Sequence, residues 1–248
     1  DGQPRLHWNG QPVYHYCGLA AFAEYVVVPQ QCCIPVRKDV SPQVVALVGC
    51  AVATGVGASM YTARVRPGET VVVFGAGGVG LNVIQGAVLC GASTIISVDK
   101  SPAKMALAKQ FGATHAIPAD DRMLNTIRDL TGGRGADHAF ESVGLASLQE
   151  LGLDVIRPGG MLTLVGLTAM GTPTNLPGAV ITRQEKTIKG SYYGSVSPRR
   201  DFPLLIDLYV AGKLKLDELI SQTYRIDQIN EAYATMLGGG TARGVITF

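Results

Sequence analysis

The sequence predicts an α/β fold built on a doubly wound parallel sheet of six strands. Three observations carry that expectation. From Ser41 onward, short apolar runs recur every ~20 to 30 residues with a helical pattern between each pair, which is how βαβ crossovers are written. The run Val71 to Phe74 and that in STIISVD read as buried strands, as a parallel sheet covered on both faces requires. A glycine loop, Gly75-Ala76-Gly77-Gly78-Val79-Gly80, joins the first run to its helix.

Taken in order, Ser41-Pro42 is a helix-start signal, a cap followed by proline in the first turn. It opens the apolar stretch that contains Cys50. Arg66-Pro67-Gly68-Glu69 is a turn, and Val71 to Phe74 a β-branched strand. After the glycine loop, Leu81, Val83, Ile84, Val88 and Leu89 are spaced for burial on a helix. STIISVD is the second strand, SPAKMALAKQFGA a helix begun by Ser-Pro, and HAIPA a third, short strand. DDRMLNTIRDLTGG is a helix, GADHAFES a strand, ASLQELGLDVIRPGG a helix, and MLTLVGL and TIKGSYYG the fifth and sixth strands. Helices are expected in RDFPLLIDLYVAGK and DQINEAYATMLGGG, an extended piece in SQTYRI and a closing strand in RGVITF. Residues 1–40 have a different character, with strands alone expected at PVYHYCG, AEYVVVP and CCIPV.

Composition narrows the function. With 47% hydrophobic and 16% charged residues and a net charge of +2, the chain is expected to be a globular protein with a substantial core. Its Lys and Arg are scattered, so no nucleic-acid partner is expected. Residues 44–61 are uncharged over almost the length of a spanning helix. Only seven of them are Val, Leu or Met, and three glycines dilute the rest, so a buried helix is expected and no membrane partner. No signal peptide is expected either. The five cysteines, Cys17, Cys32, Cys33, Cys50 and Cys90, are odd in number and lack CxxC spacing, which favours reduced thiols and a cytoplasmic location. Cys32 and Cys33 are adjacent, so on a strand they point to opposite faces and cannot share a metal.

The glycine loop satisfies GxGxxG in the right setting. It follows a strand, opens a helix, and leads to a second strand ending in Asp99, nineteen residues past Gly80. Gly75 permits the tight turn, Gly77 the close approach of a diphosphate to the backbone, and Gly80 close packing of helix on strand. The helix N-terminus offers unpaired N–H groups and partial positive charge to phosphates. Asp99 is placed to accept hydrogen bonds from ribose hydroxyls and to repel a 2′-phosphate, so NAD is expected over NADP; an ordinary acid at a helix entrance is its plainer reading.

Two enzyme classes compete for such a loop. Tyr209-Val-Ala-Gly-Lys213 matches the YxxxK of short-chain dehydrogenases. Their loop lies near the N-terminus, however, and needs glycine where Val79 stands. YVAGK is expected to be a helix end with a glycine stop. By contrast, GCAVATGVGASMYTARVRPGETVVVFGAGGVGLNVIQGA resembles the zinc-dependent medium-chain alcohol dehydrogenases, in particular the branch related to glutathione-dependent formaldehyde dehydrogenase. The resemblance continues through SVDKSPAKMALAKQFGAT, FESVG, TLVGL, IKGSYYG and ARGVITF.

That resemblance implies a Rossmann domain at 52–192, flanked by parts of a GroES-like catalytic domain at 1–51 and 193–248. It implies reversible oxidation of an alcohol to an aldehyde or ketone by zinc-assisted hydride transfer to NAD in the intact protein. Cys50 then becomes a ligand of a catalytic zinc, where residue type alone reads it as a small hydrophobe. Thr54 and Val79 are implied at the nicotinamide, Val143 on the adenine side, Leu167 and Tyr193 near the carboxamide, Lys104 at the adenosine ribose and Arg243 at the diphosphate. Tyr16 is implied in the substrate pocket. On residue type alone Lys104 is equally a solvated lysine, Arg243 a strand-edge charge and Tyr16 a core tyrosine.

The family's other zinc ligands have no counterpart here, so the chain is expected to be a C-terminal portion that holds no tight zinc by itself. His138 and Glu141, three apart on a strand, face opposite ways and are not expected to pair on a metal. A homodimer or homotetramer is implied through TIKGSYYG. The alternatives are a non-catalytic NAD-binding module and a zinc-free NADPH quinone reductase, the latter opposed by Cys50 and Asp99.

Overall fold

The protein is described from a computed structural model that covers residues 3–239 and 242–248; Gly240, the expected end of the last helix, lies outside the described residues. The chain divides into two units, Asp1–Arg37 with Ile220–Phe248, and Lys38–Leu219.

In the first unit, β1 (Leu6–Trp8) and β2 (Gln11–Val13) form an antiparallel hairpin with Trp8 opposite Gln11. Asn9 and Gly10 make its two-residue turn, both at positive φ, 49° and 75°. Only such a left-handed pair matches the twist of the flanking strands, and Asn-Gly supplies it at least cost. The three strands expected in residues 1–40 are corrected here. Only Pro12 and Val13 of PVYHYCG are in a strand, and AEYVVVP and CCIPV are not. Tyr16–Gly18 and Gln30–Cys32 are single 3-10 turns instead. An apolar run is held as a strand only by a ladder of partner hydrogen bonds, and among the described residues these segments have none.

The second unit is built on a sheet of six parallel strands, β3 (Thr70–Phe74), β4 (Thr94–Asp99), β5 (His115–Pro118), β6 (Ala136–Glu141), β7 (Ile156–Leu164) and β8 (Thr187–Gly190), in the order β5-β4-β3-β6-β7-β8. The expected fold class is observed. Val72, Phe74, Ile96 and Val98 share one face with Ile127, Leu153 and Leu162, whereas Val71, Val73 and Ile95 point the other way and are equally buried. Burial on both faces is why Val71 to Phe74 read as an apolar run, and why Ser97 in β4 is enclosed as well. Each such side chain contributes about 1.5–3 kcal/mol. β7 starts five residues before the expected Met161: Ala136 pairs with Ile156 and His138 with Met161, so Pro158, Gly159 and Gly160 loop out as a bulge, Gly159 at φ 72°.

Ser41 Oγ caps the long helix Pro42–Ala63 by accepting from Gln43 N at 3.3 Å. This helix is long and apolar enough to cross a membrane, yet most of its apolar window is buried inside the protein. It crosses the helix Gly78–Leu89 through small residues. A Cβ on Gly55 would stand 2.5 Å from Val79 O, one on Gly86 2.9 Å from Val56 Cα, and Ser59 Oγ donates to Val83 O at 2.9 Å. Gly55, one of the glycines that weaken it as a membrane segment, is what lets the two helix backbones touch. The helix Pro198–Val210 ends as expected, with Gly212 at φ 68° just beyond Tyr209. In the first unit, β9 (Ile220–Arg225) and β10 (Arg243–Thr247) pair in parallel, with the helix Ile229–Leu237 between them.

Candidate functional site

In this sheet the chain works outward from β3 to β5, then returns to the other side at β6. Ligands of open α/β sheets settle where that reversal leaves a crevice, beyond the carboxyl ends of the two central strands. The loop Gly75-Ala76-Gly77-Gly78-Val79-Gly80 stands there, after β3. Gly75 has φ 91° and donates to Val98 O at 2.8 Å, a turn that a side chain would strain. Gly80 sits so close behind it that a Cβ would fall 1.9 Å from Gly75 O. Gly77 is the opposite case, with φ −77° and nothing within 4 Å of an added Cβ. A side chain there is excluded by neither backbone nor neighbours, so the open space is what the glycine preserves. Leu81 N is the first to bond back, to Gly77 O at 2.9 Å. The N–H groups of Gly78, Val79 and Gly80 have no carbonyl four residues back within the helix, and they face the free end with its partial positive charge.

Asp99 closes one side. Its Oδ2 accepts from Ala76 N at 2.8 Å and its Oδ1 from Ser101 N at 2.9 Å. The carboxylate therefore joins the glycine loop to the helix Pro102–Gln110, which satisfies the helix-entry reading, and each oxygen keeps a lone pair for a further donor. Lys104 is in the first turn of that helix, half-buried, its N–H on Ser101 Oγ at 3.5 Å.

On the other side stands the loop after β6. Ser142 Oγ donates to Phe74 O at 2.7 Å, and Val143 Cγ2 is 2.6 Å from where a Gly75 Cβ would be. Val143 is half exposed and Leu167, after β7, more so. A residue not assigned from sequence shapes this side. Glu141 is fully buried, and its Oε1 accepts from Val143 N at 2.8 Å and Gly144 N at 2.7 Å, while its backbone O accepts from Val165 N and Gly166 N. One residue thus folds both loops. An acid directly after Ala139-Phe140 at the end of a strand, in FESVG, is the signal the sequence carries. Its neighbour His138 does not meet it, bonding instead through Nε2 to Glu69 Oε2 at 2.8 Å.

Cys50 and Thr54 lie on the long helix, Cys50 exposed in a π-helical segment, Val48–Val52, and Thr54 half-buried one turn on. Gly55 against Val79 O brings this helix to the loop. The Tyr193 hydroxyl donates to Gly49 O. Burial, and then the adjacent Cys50, raise the Tyr193 phenol above its ordinary pKa, so it stays a donor at neutral pH. Tyr16 and Arg243 belong to the other unit: Tyr16 is exposed on its 3-10 turn, and Arg243 opens β10 with Nη1 donating to Ala242 O at 3.0 Å. A catalytic zinc takes about three protein ligands. Among the described residues no three His, Cys, Asp or Glu side chains converge, so Cys50 does not build such a site from these residues.

Residues 78–211 match the family described as zinc-binding dehydrogenase. The chain is 37% identical over 254 residues to the alcohol dehydrogenase class-3 of Dictyostelium discoideum, covering 99% of this chain and 66% of that protein. It is 38% identical over 249 residues to the NDMA-dependent alcohol dehydrogenase of Amycolatopsis methanolica, covering 99% and 67%. The crystal structure of an alcohol dehydrogenase zinc-binding domain protein from Burkholderia ambifaria superposes with a TM-score of 0.90 at 33% identity, over 96% of this chain and 65% of that one. The chain spans about two thirds of the length of the curated relatives it matches. With a match over more than half of its residues, and identity to alcohol dehydrogenases that runs along nearly its whole length, glycine loop and six-stranded parallel sheet included, the chain belongs to the zinc-binding dehydrogenase family.

Proposed function

We propose that this chain binds NAD and serves an alcohol dehydrogenase that interconverts a small alcohol with its aldehyde or ketone. The observation that carries the reading is the open space at Gly77, bounded by free helix N–H groups on one side and the Asp99 carboxylate on the other. When bound, the nicotinamide ring supplies the hydride acceptor or donor. The chain's own share is binding and orientation. The N–H groups of Gly78, Val79 and Gly80 hold the diphosphate, and Asp99 accepts from the ribose and repels a 2′-phosphate. Lys104 adds positive charge toward the ribose. Val143 and Leu167 flank the dinucleotide with apolar surface that sheds water, and Thr54, Val79 and Tyr193 stand at its nicotinamide end. Tyr16 belongs to the alcohol pocket in this reading. Residues 1–51 and 193–248 belong to the catalytic domain and 52–192 to the dinucleotide domain, in a cytoplasmic homodimer or homotetramer.

No metal step is assigned to these residues. A second reading, a dinucleotide-binding module without turnover, is favoured by the lack of convergent metal ligands among the described residues. Fluorescence titration with NADH and NADPH, in parallel with alcohol oxidation at added zinc, tests both. NADH is expected to bind at least about tenfold tighter than NADPH, and Asp99→Asn to narrow the ratio as one repelling charge is removed. Absence of binding by either dinucleotide refutes the proposal. Binding without turnover selects the module, and binding with turnover the enzyme.

A further inference from the structure

Beyond β8, Tyr193, Gly194 and Ser195 are successively left-handed, with φ of 55°, 65° and 55°. Two of them carry side chains that disfavour this conformation, so their surroundings must hold it. Thr62 Oγ1, on the long helix, does so by bonding Ser191 Oγ at 2.9 Å and Ser195 Oγ at 2.8 Å. Gly194 is pressed against the same helix: a Cβ would stand 2.3 Å from Ala53 O and 2.8 Å from Thr54 O. From this anchored turn the Tyr193 hydroxyl reaches the carbonyl of Gly49, the residue before Cys50. Gly49 lies in the π-helical segment, where i→i+5 bonding replaces the regular ladder and the backbone is open to a donor from outside the helix. The Phe202 ring, 6.3 Å from that of Tyr193, limits its swing.

We propose that Tyr193 is a positioning residue whose hydroxyl pins the segment Val48–Val52 to the left-handed turn and so fixes the placement of Cys50 relative to the glycine loop. The pin stands on geometry alone; its link to a bound dinucleotide rests on the reading given above. Removing the hydroxyl while keeping the ring, by Tyr193→Phe, tests it. Amide hydrogen exchange of the 248-residue chain is followed at residues 50–54, with Thr70–Phe74 as internal reference, with and without saturating NADH. Without ligand, exchange at 50–54 is expected to rise about fivefold, the worth of one hydrogen bond, with the reference strand unchanged. NADH is expected to slow exchange at 50–54 in the parent, and that slowing to be lost in the variant, which a general loosening of the fold does not produce.

Equal exchange at 50–54 in parent and variant overturns the pin, whatever NADH does. Failure of the parent to bind NADH overturns the dinucleotide reading and leaves the unliganded comparison to judge the pin. If Tyr193→Phe does not fold, Phe202→Leu, which frees the ring to swing, replaces it: faster exchange at 50–54 supports the pin and unchanged exchange overturns it.

Discussion

Gly77 and Gly80 stand three residues apart in one loop, yet an added methyl group should harm them in different ways. At Gly80 the new Cβ falls 1.9 Å from Gly75 O and 2.9 Å from Ser142 Oγ. Neither can retreat cheaply, because Gly75 N is bonded to Val98 O at 2.8 Å and Ser142 Oγ to Phe74 O at 2.7 Å. Overpacking against backbone belongs at the upper end of the usual range, about 3 kcal/mol. Alanine regains ~1 kcal/mol of helix propensity. The net loss of about 2 kcal/mol lowers Tm by roughly 4–8 °C for a chain of this size.

At Gly77, φ −77° and ψ −177° suit any residue, and the methyl meets nothing within 4 Å. Gly77→Ala should therefore fold with Tm within about 3 °C of the parent, the cost of alanine at an N-cap. The same methyl occupies the space reserved for a diphosphate, so NADH affinity should fall at least about tenfold, or ~1.4 kcal/mol. Thermal unfolding followed by circular dichroism, with NADH fluorescence titration on the same samples, reads both quantities. Parent-like NADH binding by Gly77→Ala would show that no dinucleotide approaches the loop there. A Gly80→Ala variant as stable as the parent would refute the packing argument.

Glu141→Gln keeps one oxygen for Val143 and Gly144 but loses the charge that strengthens both bonds. NADH affinity is expected to fall by about three- to tenfold in the same titration, and an unchanged value would show that the loop after β6 does not need the carboxylate. Asp137 is governed by acid. Burial pushes its pKa up, but the Thr70 N–H, Arg157 and Arg134 outweigh burial and hold it below the ordinary value. A folded pKa depressed below the unfolded value of about 3.9 contributes stability that is fully present above pH ~4 and is lost as pH falls through the folded pKa. Asp137→Asn should thus be less stable at pH 7 and lose less stability between pH 5 and pH 2.5. Parallel pH profiles of unfolding for parent and variant would contradict this.

Much of this molecule is legible in its sequence. The order of strands and helices from Thr70 to Leu164, the caps at Ser41 and Ser101, and the places of Gly75, Gly77, Gly80 and Asp99 follow from periodicity and local backbone demands, whereas the short helix Gly178–Arg183 ahead of β8 does not. Such signals are carried by neighbours in sequence, and the apolar run of β3 marks a segment that lies inside. In residues 1–40 apolar composition predicts strands, but composition names no partner, and a strand persists only where one pairs with it. The Asn9-Gly10 turn is the local signal that marks the β1–β2 hairpin.

Sequence by itself determined a doubly wound sheet with a glycine loop on its first strand, because hydrophobic period and glycine conformation are properties of short segments. Only the tertiary structure decided what Glu141, Tyr193 and Gly55 do. Glu141 folds the loops after two different strands, Tyr193 reaches a carbonyl 144 positions away in the chain, and Gly55 matters because another helix's backbone lies on it. Each role depends on a partner brought near by folding, and nothing in the spacing of residues along one segment records which distant backbone will arrive beside it.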